Sequence, residues 1–243
     1  MHALYSFDFL DTISKQLQER LDSLNVTLLN GEQLGELENF QEENQRKQGV
    51  YVIHYDGAPR YIGKAANVAE RLKQHYKKLT GRQNIDLAKI GYKCLLLDKS
   101  MSTAANEDLL IEKYREVHSD LWNGQGFGPK DPGKERDTTV PGSFDQRHPI
   151  RLDFQLSEID DAETVKSLSK KLKTGLPYVF RYNVSSREEE DLNLVGIERV
   201  PRSLVQALVN HLGAGWRGAI LSYGIVVYQN QKNYLYGETI DPI

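Results

Sequence analysis

A chain of 243 residues, 39% hydrophobic and 27% charged, is long enough to bury a core as one large domain or two small ones, which excludes a disordered or fibrous polypeptide. No apolar run approaches the roughly 18 residues of a membrane span, the amino terminus lacks the basic and apolar parts of a secretory signal, and the single Cys94 permits no internal disulfide; a cytoplasmic protein with no membrane partner is expected. The net charge of -3 hides an uneven distribution, because residues 44–94 carry eleven Lys and Arg against three Asp and Glu, leaving 20 basic and 31 acidic residues elsewhere. Such a segment can grip phosphates, although a solvated basic helix face would look the same.

Ser6 can cap a first helix whose Leu10, Ile13, Leu17, Leu21 and Leu24 fall on one stripe. Residues 25–48 are polar with short apolar pieces and read as a connector. Gly49 to Tyr55 and Arg60 to Ile62 alternate as strands around Asp56-Gly57-Ala58-Pro59, a hairpin. Asn67 then caps a helix to about Leu79, with Val68, Leu72 and Tyr76 or Leu79 inward and Arg71 and His75 sharing another edge at i, i+4. A helical piece near Asn84 to Ile90, a third strand from Tyr92 to Leu97, and a helix from about Thr103 to Val117 follow. Glu107 lies on the apolar stripe of that last helix, with Leu110, Ile111 and Tyr114.

The glycine-rich stretch from Leu121 to Gly133 is a long loop in which Trp122 and Phe127 favour packed order, and His148 closes the region by packing or by function. The second half predicts a helix through Val165, Leu168 and Leu172 to Gly175, a strand Tyr178 to Val184, and a charged surface loop at Arg187 to Asp191. A helix from Ser203 to Leu212 follows, and then a hairpin of Ala219 to Tyr228 with Tyr234 to Tyr236, turning at Asn230 to Asn233. Three parts are expected: an N-terminal helical extension over 1–43, a core over 44–149, and a C-terminal α/β region over 150–243 serving DNA recognition or dimerisation.

Phosphodiester cleavage needs a base for water, charge for the transition state, and a metal or acid at the leaving oxygen. Tyr51 and Tyr61 on adjacent strands, the guanidinium fork of Arg71, and Glu107 as a lone carboxylate on an apolar stripe are candidates for these roles. Gly49-Val50-Tyr51 and Tyr61-Ile62-Gly63, with Arg71, Glu107 and Asn123 in order, resemble the GIY-YIG nucleases, with Val50 in place of isoleucine. His75, Leu121-Trp122-Asn123, Gly126-Phe127-Gly128, Pro132-Gly133, Arg136, Ser143-Phe144-Asp145 and His148-Pro149 bring the resemblance nearer to the restriction endonucleases of that superfamily that cut CCGCGG.

The resemblance implies an α+β fold in which a small three-stranded antiparallel sheet is flanked by helices. It implies Tyr51, Tyr61, Arg71, His75, Glu107 and Asn123 as catalytic residues, with His75 helping either tyrosine act as base and Glu107 holding one Mg2+. It further implies a homodimer on palindromic double-stranded DNA and a partner DNA methyltransferase. Lys64, Lys73, Lys77 and Arg136 are the expected DNA contacts. Base readers are sought in the Gln125 to Arg136 loop and at Arg181, Arg202, Arg217 and Lys232. A structure-specific repair or mobile-element nuclease, or a DNA-binding module without turnover, are the competing functions.

Overall fold

The computed structural model describes residues 2, 4–128, 133–230 and 232–243; Pro129, Lys130, Asp131 and Pro132 of the expected loop and Gln231 of the expected turn lie outside them. The chain forms two compact units, Met1–Lys77 with Asp86–Pro129, and Lys78–Ile85 with Lys130–Ile243. Residues 1–43 thus belong to the same unit as the first sheet, and 130–149 to the other.

The first unit runs α1 (Phe9–Ser23), β1 (Thr27–Leu28), α2 (Gly31–Glu43), β2 (Gly49–Tyr55), β3 (Ala58–Ala65), α3 (Val68–Thr80), β4 (Ile90–Leu96), α4 (Lys99–Ala104) and α5 (Glu107–Val117), with α3 ending in the second unit. Its sheet is antiparallel in the order β1-β4-β2-β3. The three expected strands are contiguous in it, and the two-residue β1 adds a fourth on the outer edge of β4. Asp56 and Gly57 both take positive φ, 52° and 79°, as the tight turn between β2 and β3 requires.

Strand alternation sorts the side chains of β2 and β3 onto two faces. Val50, Val52 and Ile62 pack with Ile13, Leu17 and Leu21 of α1 and Leu110 and Tyr114 of α5. Tyr51, Tyr61 and Gly63 therefore look to the other face, where α3 lies.

Four sequence expectations for this unit are corrected. The first helix is capped by Asp8, whose carboxylate accepts from the Asp11 N–H at 2.8 Å, and not by Ser6. The polar connector contains α2, capped by Asn30, with Leu34, Leu37 and Gln41 buried; Gln41 is tolerated inside because its amide donates to the Lys47 carbonyl. The helix expected over 103–117 is broken, because Asn106 caps a new helix through the Asp108 and Leu109 N–H groups. The inward stripe of α3 takes in His75 beside Val68, Leu72 and Leu79, so His75 is fully buried and is not set apart from the apolar residues as expected.

The second unit contains α6 (Ser143–Arg147), β5 (Ala162–Thr164), α7 (Val165–Gly175), β6 (Val179–Tyr182), β7 (Asp191–Asn193), α8 (Pro201–Leu212), β8 (Trp216–Leu221), β9 (Gly224–Gln229) and β10 (Gly237–Ile240). Its main sheet has the order β10-β8-β9-β6, with β6 parallel to β9, and Leu168, Leu172, Leu204 and Leu208 of α7 and α8 close the core on one face. The expected hairpin is also corrected: the run Ala219 to Tyr228 turns at Ser222 and Tyr223, and the last strand pairs with β8. No helix among the described residues is long and apolar enough to cross a membrane.

Candidate active site

The site is built where β2 and β3 meet α3. Tyr51 lies opposite Gly63 in the β2–β3 register, and a Cβ at Gly63 would overlap the Tyr51 phenol. Gly49 likewise sits where a Cβ would overlap the Leu95 carbonyl of β4. The glycines of both signature triplets are thus demanded by close approach, one of the phenol and one of a neighbouring strand. Gly63→Ala is expected to destabilise the fold by about 1–3 kcal/mol through overpacking. Its cleavage rate is expected to fall further than that loss explains, because the phenol must move; urea unfolding and single-turnover cleavage measured together check this.

Given that space, the Tyr51 hydroxyl reaches Nε2 of His75 at 2.8 Å. Tyr61 and Phe127 complete the wall: the His75 ring stacks on Phe127 with centroids 4.9 Å apart and stands 4.9 Å from Tyr61, and Trp122 backs Phe127 at 5.2 Å. Sequence reasoning anticipated order around Trp122 and Phe127 but not that Phe127 would orient His75 and Tyr61. An aromatic between two glycines, Gly126 and Gly128, was the available signal.

The free edge of β3 organises the rest. Every other residue of an edge strand points its backbone N–H and C=O away from the sheet, and these groups need partners. At Arg60 the carbonyl accepts from the Trp122 N–H. At Ile62 the N–H donates to Asn123 Oδ1 at 2.9 Å and the carbonyl accepts from Asn123 Nδ2 at 2.7 Å. At Lys64 the N–H donates to Glu107 Oε1 at 3.3 Å, while the Lys64 ammonium donates to the Ala105 carbonyl at 2.8 Å. Asn123 and Glu107 are therefore placed by the same strand edge that carries Tyr61, and Asn123 is buried with its carboxamide engaged at both ends.

Burial pushes the Tyr51 phenol well above its ordinary range, with Tyr61 adding to the effect and the charge of Arg71 opposing it. Tyr61 is pushed up to about 12 by burial and by the Glu107 charge, again with Arg71 in opposition. Glu107 is itself raised above the ordinary carboxylate range by burial, partly offset by the Lys64 N–H and by the charges of Arg71 and Lys64. The two phenols, Arg71 and Glu107 thus act on one another as a group. Arg71 is half-buried, and its guanidinium makes no ion pair or hydrogen bond among the described residues.

A single half-buried carboxylate suits Mg2+, which binds through one or two carboxylates and keeps several waters. No group of three or more His, Cys, Asp and Glu side chains able to hold a metal occurs among the described residues, so a closed protein cage is not on offer, and Glu107 is the residue that fits.

The expected DNA contacts divide. Lys64 is turned onto the Ala105 carbonyl; Lys73 pairs with Glu38 at 2.5 Å in an exposed bridge that a phosphate could replace; Lys77 is exposed on α3. Arg136 belongs to the second unit, where its guanidinium pairs with the fully buried Asp145 and lies 4.3 Å over the Tyr223 ring. His148 packs against Phe144 in the same unit, with centroids 5.1 Å apart, which favours its packing role.

A hairpin-led antiparallel sheet carrying two tyrosines, with an arginine and a histidine from the next helix and a glutamate across the strand edge, is the α+β core expected of the GIY-YIG fold. Residues 55–174, just under half of the chain, match the family described as the Eco29kI GIY-YIG domain, a similarity that supports a restriction-endonuclease type of nuclease. The matched residues include Tyr61, Arg71, His75, Glu107 and Asn123 and begin after Tyr51. No curated protein matches the chain.

Proposed function

We propose that the chain is a Type II restriction endonuclease that hydrolyses both strands of duplex DNA at a palindromic site, dependent on Mg2+ and acting as a homodimer. In the cell it would work beside a DNA methyltransferase that protects the same sites. The observation that carries this reading is the Tyr51 hydroxyl held on His75 Nε2 at 2.8 Å, within the electrostatic reach of Arg71 and Glu107.

Because burial keeps both phenols protonated at neutral pH, neither supplies a standing phenolate. The base must then be a relay: as the attacking water gives its proton to the Tyr51 oxygen, the Tyr51 proton passes to His75 Nε2. The water oxygen forms its bond to phosphorus, and the bond from phosphorus to the leaving strand oxygen breaks. Arg71 offers its planar fork to the phosphate oxygens as charge builds on them. Held at Glu107, Mg2+ would supply further positive charge to the phosphate and the leaving oxygen. Asn123 acts as a positioning residue that fixes Ile62 between Tyr61 and Gly63.

A relay behaves as a unit, so its members should not be additive. Tyr51→Phe and His75→Ala are each expected to lower single-turnover cleavage by about 10²–10⁴-fold, and the double variant to be no slower than the slower single one. Multiplicative losses would show that the two side chains act separately.

A further inference from the structure

The second unit holds most of its arginines in internal pairs. Three of the four side chains singled out in its sequence as base readers are engaged: Arg181 with Asp137 at 2.5 Å, Arg202 with Glu238, and Arg217 with Asp241 at 2.6 Å. Arg151, Arg187 and Arg199 face carboxylates as well. An arginine fixed in this way is not available to a phosphate without losing its partner. Lys134 and Lys232 differ, since both are exposed and neither has a carboxylate partner among the described residues.

These two lysines line one cavity of about 380 Å³ in this unit. Trp216 and Tyr228, both buried, also line it, and the Lys134 ammonium lies 4.8 Å over the Tyr228 ring. Asn183 and Asn230 line the same space; the Asn230 amide accepts from the Lys232 N–H at 2.9 Å and donates to the Tyr234 hydroxyl at 3.3 Å, whereas in the exposed Asn183 only the carbonyl oxygen is engaged, by the Ser185 hydroxyl at 3.1 Å. Asp137 reaches the cavity too, but its carboxylate is engaged by the Arg181 guanidinium and accepts from the Tyr223 hydroxyl, so it does not cancel the charge of the lysines. Cations, amide donors and acceptors, and flat aromatic rings within one cavity are the chemistry that binds a nucleic-acid strand.

We propose that this cavity is a DNA-contact site of the second unit. It takes a sugar-phosphate segment, with phosphates at Lys134 and Lys232, the sugar against Trp216 and Tyr228, and the Asn183 amide N–H groups donating to it. The proposal rests on the reading of the chain as a DNA-cleaving enzyme, and it gives a use to the part of the chain beyond the catalytic residues.

The test is fluorescence anisotropy of a short labelled mixed-sequence duplex in EDTA, over a range of salt concentrations. The proteins compared are the wild type, Lys134→Ala/Lys232→Ala, and a control, Lys170→Ala/Lys173→Ala, which removes equal charge from α7. The cavity double variant is expected to bind about tenfold more weakly and to lose about 1.8 from the steepness of the log-log salt dependence, at about 0.9 per phosphate contact. The control should keep the wild-type slope. Because the replaced lysines are exposed, thermal unfolding should be unchanged in both. A wild-type slope in Lys134→Ala/Lys232→Ala, or an equal loss in both double variants, would overturn the cavity while leaving the nuclease intact. A wild type that neither binds nor cuts duplex would overturn the DNA reading itself.

Discussion

Arg71→Ala is expected to slow single-turnover cleavage of duplex DNA by about 10²–10³-fold, while its affinity for the same duplex changes by only about threefold, roughly one phosphate contact. The reason is differential binding. A guanidinium with no ion-pair or hydrogen-bond partner among the described residues, beside two phenols and a carboxylate, gains most as negative charge develops on the phosphate oxygens, and only that excess appears in the rate. Arg71→Lys should recover a minor part of the loss, because an ammonium restores the charge but not the two-pronged geometry. Equal losses of rate and affinity in Arg71→Ala would make it a phosphate anchor and nothing more.

Glu107→Gln is expected to bring cleavage to background while leaving the fold intact or slightly more stable in the absence of metal. Burial disfavours the ionised carboxylate at this position, so its folded pKa lies above the unfolded one. A group shifted in that direction favours the fold below the unfolded value, and that contribution is lost as pH rises through the folded value. Glutamine removes the cost at neutral pH and keeps an oxygen for the Lys64 N–H. Thermal unfolding without metal should therefore show Glu107→Gln at or above the wild type at pH 7, with the difference closing as pH falls below about 4.3, the ordinary glutamate value. A purely structural glutamate would give the opposite result, lower stability with cleavage retained.

The hairpin of β2 and β3 could be read from the sequence because local chemistry and tertiary structure agree there. Asp56 and Gly57 supply the turn, the strand alternation supplies the faces, and both tyrosines fall on one of them. The helix α3 was legible in extent but not in rotation. His75 was read on an edge apart from the apolar stripe, with Arg71, and the Tyr51 hydroxyl and the Phe127 ring that allow its burial are both distant in sequence. The helix α2 was missed because its inward stripe contains Gln41, whose partner is a carbonyl beyond the helix end. The turn at Ser222 and Tyr223 is marked in the sequence by Ser222 and Gly224 alone, and Tyr223 is held there by Asp137, 86 residues away. The placement of Glu107 and Asn123 depends on the exposed edge of β3, which becomes visible only once the strand order is known.

Digestion of a plasmid of known sequence with Mg2+, followed by sequencing of the fragment ends, tests the account most directly, because it reports activity and specificity together. The account predicts discrete fragments in Mg2+ and none in EDTA, with both strands cut at fixed positions within one palindromic sequence shared by every end. Ends without a common sequence, a preference for branched over linear duplex, or intact plasmid under all divalent metals would contradict it.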